Sequence, residues 1–125
     1  MRLVEIRSYK LKSGTSEEFH AVVSGLAVPM LHRWKADVVA FGHSAHEPET
    51  YFLVRAYSSL ADLEAQQNAF YGSAEWRNGP REAIVSRIES HLSTVLWLSE
   101  ASVEDLRRSN LSMGQETHAS VPTET

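Results

Sequence analysis

The stretch that most constrains the fold is YFLVRAYSSLADLEAQQNAFYGSAEW, residues 51–76. It begins as an alternating apolar strand, passes through a Ser-Ser turn and continues as an amphipathic helix. Ser59, with Asp62 three residues later, resembles a capping box that starts this helix. Gly72 is predicted to take the left-handed conformation that closes a helix. A strand that leads directly into a helix predicts helices packed against a sheet.

The rest of the chain completes a strand–helix–strand pattern that occurs twice. Thr15 with Glu18 predicts another capping box, and Pro29 is expected to kink or end the helix that begins there. Pro80 suits the first turn of a third helix, which is expected to bury Ile84. The other predicted elements are a strand over 3–11, a helix over 16–28, strands over 38–44 and 51–57, and a last strand over 91–98.

This order of elements is the ferredoxin-like βαββαβ arrangement, an α+β fold. Its four-stranded antiparallel sheet has the spatial order 4-1-3-2, with the helices on one face. We expect the helices to cover the face of Val4, Ile6 and Val54. The other face then lacks cover although it carries large side chains: Leu3, Tyr9, Leu11, Tyr51, Leu53, Tyr57, Val95 and Trp97. Such a surface predicts a homodimer, with two sheets facing each other around a barrel-like interior.

Composition excludes several classes of function. The 125 residues predict one domain over 1–100, followed over 101–125 by a short helix and a polar tail. A net charge of −4 with scattered basic residues argues against nucleic-acid binding. The chain has no cysteine, so it has no disulfide and no thiol chemistry. No apolar run is long enough to span a membrane and no signal-peptide pattern is present, so a cytoplasmic location is expected.

Several segments resemble the NIPSNAP family of the dimeric α/β-barrel superfamily, and the likeness covers about residues 2–98. The matching segments are EIRSY at 5–9, LKSG at 11–14, VRAYSSLAD at 54–62 and Glu75-Trp76. Residues 32–37 depart from the glycine-rich segment that is typical of the family at this point. The resemblance implies the dimeric α/β-barrel fold. Because the family has no settled shared reaction, the resemblance implies no catalytic residues.

Polar side chains gather on one face of the two central strands: Glu5, Arg7, Tyr9, Arg55 and Tyr57. Because a buried charge must be paired, one interpretation is an ion pair between Glu5 and an arginine that fixes the strand register. The other interpretation is a pocket for a small apolar or acidic molecule. In that pocket the arginines would bind a carboxylate or enolate, and the tyrosine hydroxyls would donate beside them.

A few residues remain as candidates for chemistry. Glu5 and His91 are the candidate bases if the chain is an enzyme. Trp97 lies on the same face of the sheet as His91 and is a further candidate ligand-binding residue. His43 and His46 lie three residues apart without a third ligand, so no metal site is predicted.

Other residues have structural interpretations. Trp34 and Trp76 are expected to be packing anchors, and His20 is expected to face solvent, because it lies off the apolar stripe of its helix. The sequence has no phosphate-binding loop, nucleophile elbow or dinucleotide fingerprint, so no cofactor is expected.

Three functions stay open at this point. The first is a binding protein that holds a small molecule in the barrel interior. The second is a cofactor-independent enzyme, such as an oxygenase, isomerase or dehydratase, that acts on an aromatic or polycyclic acid. The third is a scaffold whose acidic, Ser/Thr-rich tail recruits a partner. A pocket beside Arg7, Tyr9 and Arg55 would favour the first two, and a filled interior would favour the third.

Overall fold

A computed structural model describes residues 1–111 of the chain. The strands are β1 (Arg2–Leu11), β2 (Asp37–His43), β3 (Thr50–Tyr57) and β4 (Ile88–Leu98). The helices are α1 (Ser16–Val22), a π-helical turn (Val23–Ala27), α2 (Val28–Arg33), α3 (Leu60–Tyr71), α4 (Ala74–Asn78), α5 (Arg81–Val85) and α6 over residues 100–111. Within this part of the chain no helix is long and apolar enough to cross a membrane.

The four strands form one antiparallel sheet in the order β2-β3-β1-β4. This order confirms the ferredoxin-like prediction. β1 is central, and its register places Glu5 opposite Arg55 of β3 and Arg7 opposite Ser93 of β4. Residues that pair across neighbouring strands point to the same side of a sheet. The pairing therefore brings these four side chains together on one face.

The helices cover the opposite face from the one that we expected. Tyr9, Tyr51 and Leu53 pack under the helices, in one core with Phe19 of α1 and Phe70 of α3. The prediction that the helices between the strands cover the Val4 and Val54 face is therefore wrong, and so is the prediction that a second copy covers the aromatic face. Alternation divides side chains between two faces but does not say which face the helices take.

The other face of the sheet carries smaller side chains and is partly covered by α6. Val103 of α6 is fully buried against Val4, Val54 and Ala56. At the rim, Arg107 of α6 forms ion pairs with Asp37 and Glu104. The short helix predicted after residue 100 is therefore present, and it docks on the sheet. The polar tail that the sequence predicts lies almost entirely outside the described residues.

Two of the predicted helix signals differ in the structure. The Thr15 side chain caps no backbone N–H of α1; its hydroxyl donates to the Lys12 carbonyl at 2.7 Å. Gly72 has a φ of −85°, so it is not left-handed, and a Cβ there would lie 2.8 Å from the Asn68 carbonyl oxygen. The Ser59 cap is confirmed, since its side chain accepts a hydrogen bond from the Asp62 N–H.

Candidate functional site

The centre of the candidate site is a buried ion pair between the two central strands. Glu5 is 2% exposed and Arg55 is 1% exposed. The Arg55 Nη2 donates to Glu5 Oε1 at 2.8 Å, as the strand register predicts. We use the name polar cluster for this pair together with the four side chains that contact it: Glu5, Arg55, Arg7, Gln67, Tyr71 and Ser93.

The Glu5 carboxylate is saturated with donors. Oε1 accepts from Arg55 and from Gln67 Nε2, each at 2.8 Å. Oε2 accepts from Arg7 at 2.8 Å and from the Ser93 hydroxyl at 3.0 Å. Burial alone would raise the pKa of Glu5, but the charges of Arg55 and Arg7 and the hydrogen bonds outweigh it and lower the pKa. Glu5 is therefore ionised at neutral pH and has little free lone-pair capacity to accept a proton.

The polar cluster carries one more positive charge than negative charge. Its two guanidinium groups both pair with Glu5, and in residues 1–111 neither forms an ion pair with a second carboxylate. Their remaining contacts are neutral: the Tyr71 hydroxyl oxygen accepts from Arg55 at 2.9 Å and from Arg7 at 3.4 Å. Arg55 Nε is buried and has no partner among the described residues. A buried, partly compensated cation of this kind is suited to an anion.

A cavity of about 250 Å³ lies beside Arg55, between β3 and the helices α2 and α3. Most of its wall is apolar, and its side chains include Leu31, Trp34, Arg55, Tyr57, Gln66 and Phe70. The Tyr57 hydroxyl oxygen accepts from Gln67 at 3.1 Å, and burial raises the pKa of Tyr57, so the phenol stays neutral. Arg55 therefore belongs to the polar cluster and also lines the cavity.

One wall of the cavity is held in place by a carboxylate from outside it. The Trp34 indole N–H donates to Glu75 Oε1 at 2.9 Å, and Arg33 donates to the other oxygen of Glu75 at 2.6 Å. The Trp34 ring also meets Phe70 edge-on at 5.9 Å between ring centres. Glu75 therefore fixes the orientation of a ring that lines the cavity. The neighbouring Trp76 is buried against Phe70, as expected of a packing anchor.

The residues that the sequence singled out occupy four different places. Arg55 and Tyr57 line the cavity, whereas Glu5 and Arg7 belong to the polar cluster. The other three are Tyr9, which lies in the apolar core under the helices, and His91 and Trp97, which are exposed on the edge strand β4. Burial raises the pKa of Tyr9 to about 12. The cavity thus brings together only part of the predicted set.

Sequence reasoning missed the side chains that α3 contributes. Gln67 interrupts the apolar face of the predicted helix, and this break in the pattern was the available signal for a buried polar partner. Gln66 and Tyr71 gave no comparable signal, because both residue types are common on exposed helix surfaces. Ser93 is identified only by the register of β4 against β1.

A second group of titratable side chains lies at the other end of the helix layer. His20 is half-buried, contrary to expectation, and its Nδ1 lies 2.5 Å from the Tyr51 hydroxyl. Burial, and then the neighbouring His43, lower the pKa of His20. Among residues 1–111, no three His, Asp or Glu side chains come together as metal ligands. This group is best explained as the hydrogen bond that satisfies the buried Tyr51 hydroxyl.

Comparison with known proteins identifies relatives of this arrangement. The family model described as NIPSNAP matches residues 4–102. A NIPSNAP family protein from Agrobacterium tumefaciens superposes with a TM-score of 0.73 at 17% identity, covering 82% of this chain and 90% of that chain. A NIPSNAP domain protein from Burkholderia xenovorans gives 0.68 at 21% identity, covering 78% and 95%.

A third similar structure has a name that proposes an activity. It is a Bordetella bronchiseptica protein, proposed by its name to be an antibiotic biosynthesis monooxygenase. It superposes with a TM-score of 0.63 at 21% identity, covering 78% of this chain and 97% of that chain. At these identities the structural likeness shows a shared fold. None of the curated proteins matches the sequence.

Proposed function

The chain belongs to the NIPSNAP family, and we propose that it binds a small molecule with an apolar body and one anionic group. The binding site is the cavity beside Arg55. The observation that carries the proposal is the net positive charge of the polar cluster at the wall of a largely apolar cavity.

The charge balance supports an anionic group. Moving an ionised group out of water is costly unless an opposite charge lies beside it. Glu5 compensates one of the two guanidinium charges of the polar cluster, those of the buried Arg55 and the partly exposed Arg7, and its oxygens are fully used. A carboxylate or enolate beside Arg55 would compensate the other through a charge-assisted hydrogen bond.

The volume supports a small ligand. About 250 Å³ is below the range of about 300 to 1,000 Å³ that is typical of sites for drug-sized molecules. The aromatic and aliphatic walls at Trp34, Phe70 and Leu31 suit a planar apolar body. We therefore expect an acid with one or two rings.

A steric block of the cavity tests the proposal. Ala69 lines the cavity and its side chain is exposed, so Ala69→Phe would fill the space without disturbing the core. We expect wild-type protein to bind phenylacetate in isothermal titration calorimetry, with phenylacetamide much weaker, and we expect Ala69→Phe to bind neither. Ala61→Phe, on an exposed position of the same helix outside the cavity, is the control and should bind as wild type does. Equal binding by Ala69→Phe would overturn the proposal.

A cofactor-independent enzyme is a second candidate, favoured by the name of the Bordetella bronchiseptica protein and by one hydroxyl group. The Tyr71 oxygen accepts from two guanidinium groups, and in residues 1–111 its proton has no acceptor. Tyr71 does not line the cavity, so it can donate only to a ligand that reaches past Arg55 into the polar cluster. The candidate bases fit less well, since Glu5 is saturated and His91 lies outside the cavity. Oxygen uptake with phenolic acids that Ala69→Phe abolishes would favour the enzyme; no uptake would favour binding alone.

We also propose a homodimer that forms through β4. This edge strand has 11 residues, and its exposed apolar side chains are Leu92, Val95 and Trp97. Residues 92–98 carry no charge, so two copies can pair along this edge without like-charge repulsion. Sedimentation at micromolar concentration should give twice the 14.0 kDa of one chain. Leu92→Asp should give single chains, and a wild-type protein that sediments as single chains would contradict the dimer.

A further inference from the structure

The side-chain amide of Gln66 has a fixed orientation. Its Nε2 donates to Asp62 Oδ1 at 3.1 Å, one helical turn earlier on α3. The other oxygen of Asp62 accepts from the Ser58 backbone N–H at 3.0 Å and from the Ser58 hydroxyl at 3.1 Å. The Ser58 backbone N–H, followed by Gln66 and the other donors, lowers the pKa of Asp62, which is therefore ionised. Because a carboxylate only accepts, the amide nitrogen must face Asp62 and the amide oxygen must face away.

The amide oxygen that is turned away from Asp62 has no partner. In residues 1–111, two buried side-chain polar atoms lack a hydrogen bond, and they are Gln66 Oε1 and Arg55 Nε. Both residues line the same cavity. Buried polar atoms without partners are rare and costly, so each one calls for an explanation. Neither atom is open to the cavity in this conformation, so the pair indicates an occupant that moves the covering side chains aside and supplies the complementary atoms.

The neighbouring glutamine makes the contrast clear. Gln67 uses both ends of its amide: Nε2 donates to Glu5 and Tyr57, and Oε1 accepts from Arg7 at 3.2 Å. Gln67 therefore belongs to the protein's own polar network. Gln66 has the same side chain one position earlier, yet only its nitrogen is used.

We propose that the ligand of this cavity is a hydroxy acid or a similar molecule with a hydrogen-bond donor next to its acidic group, and that Gln66 selects it. The acidic oxygen accepts from Arg55 Nε–H, and the neighbouring O–H or N–H donates to Gln66 Oε1. This inference rests on the proposed function, because it concerns the same cavity. It also gives a role to the Ser58–Asp62 segment of the family-like motif, which holds the amide of Gln66 in the accepting orientation.

A matched pair of acids tests the inference. Phenylacetate and mandelate differ by one hydroxyl group beside the carboxylate, and their Kd values can be measured by isothermal titration calorimetry. We expect wild-type protein to bind mandelate about tenfold more tightly, which corresponds to one additional hydrogen bond. Gln66→Met removes the acceptor at similar volume, so its ratio of mandelate to phenylacetate affinity should fall to about one, whatever its affinity for phenylacetate. Asn68→Met, on an exposed position of α3, should keep the preference.

The outcomes separate the two proposals. Equal binding of both acids by wild-type protein would overturn the selection by Gln66 and leave the proposed function standing. A preference for mandelate that survives in Gln66→Met would also overturn it, because the hydroxyl group would then be recognised elsewhere or through a bridging water. If neither acid binds, the proposed function fails and the inference fails with it.

Discussion

The two faces of the sheet are stabilised in different ways. The face under α1–α5 buries the Arg55 guanidinium and the Glu5 carboxylate among large aromatic side chains, with the partly exposed Arg7 beside them. The face under α6 buries mainly small aliphatic side chains, and its ion pairs lie at the rim, where Asp37 and Arg107 keep about 30% of their side-chain surface exposed. The difference lies in what the covering helix supplies. Helix α3 brings Gln67 and Tyr71 as hydrogen-bond partners, whereas α6 brings Val103 and Leu106.

The comparison teaches where this fold can hold a charged ligand. A charge can be buried only where every polar group finds a partner. The face under α3 meets this condition except at the cavity, where two polar atoms lack partners. Within residues 1–111, the face under α6 has no buried charge. The fold therefore separates the side of the proposed binding site from a side that only packs.

The largest expected effect comes from removing the one negative charge that is buried in residues 1–111. Glu5→Gln leaves the buried Arg55 and the partly exposed Arg7 beside a neutral amide, and we expect it to lower the free energy of unfolding by about 3 to 5 kcal/mol. Glu104→Gln removes the same charge at the rim of the other face, where Glu104 is 41% exposed. Its expected cost is below about 1 kcal/mol. Urea unfolding measures both, and equal losses would show that the two faces do not differ in this way.

A smaller effect is expected from the apolar face. Val103→Ala removes two buried methyl groups and leaves a cavity between α6 and the sheet, so we expect a loss of about 2 kcal/mol. Val85→Ala on α5 makes the same change at a side chain that is 43% exposed, and its cost should be below about 1 kcal/mol. If Val103→Ala costs no more than the control, α6 contributes little to the fold and the apolar face is effectively uncovered.

The smallest effect appears only in acid. The pKa of Glu5 is lower in the folded protein than its ordinary value, so its contribution to stability is complete above that ordinary value. The contribution is lost as the pH falls through the folded pKa. At Asp37, hydrogen bonds and charges from Arg107 and Arg2 outweigh burial and lower the pKa in the same way, but this carboxylate is partly exposed and is screened by salt.

Acid unfolding followed by circular dichroism can separate these two carboxylates. The free energy of unfolding of Glu5→Gln should decrease less steeply than that of wild type as the pH falls, at low salt and at high salt. That of Asp37→Asn should do so at low salt only. A Glu5 contribution that disappears at high salt would mean that the polar cluster is open to solvent.

The sequence predicted the helices and strands and their order better than it predicted which face of the sheet the helices cover. Alternation and turn signals located the four strands, and the order of elements gave the β2-β3-β1-β4 sheet. The choice of face needs the three-dimensional fit between helices and sheet, which periodicity along one strand does not contain. For the same reason the sequence placed Arg7, Arg55 and Trp97 in one enclosure, whereas Trp97 lies 52% exposed on the edge strand.

The charged residues of the candidate site could be predicted from the sequence, but the side chains that contact them and line the cavity could not. An ion pair of Glu5 with Arg7 or Arg55 was predicted because the three residues lie on one face of adjacent strands, and Glu5 pairs with both. The cavity itself depends on the orientation of Trp34, which Glu75 holds from a distant helix. The unpaired oxygen of Gln66 depends on a hydrogen bond to Asp62. Contacts of this kind arise from tertiary packing and leave no spacing that a single sequence reveals.

One measurement compares the two faces directly: methyl NMR of the assigned protein during titration with phenylacetate. Leu31 lines the cavity, and Val103 is buried on the other face. We predict saturable shifts at the Leu31 methyl groups, with a matching shift of the Arg55 Nε–H signal, and no shift at Val103. Shifts at Val103 with none at Leu31 or Arg55 would place the ligand on the α6 face and contradict the account.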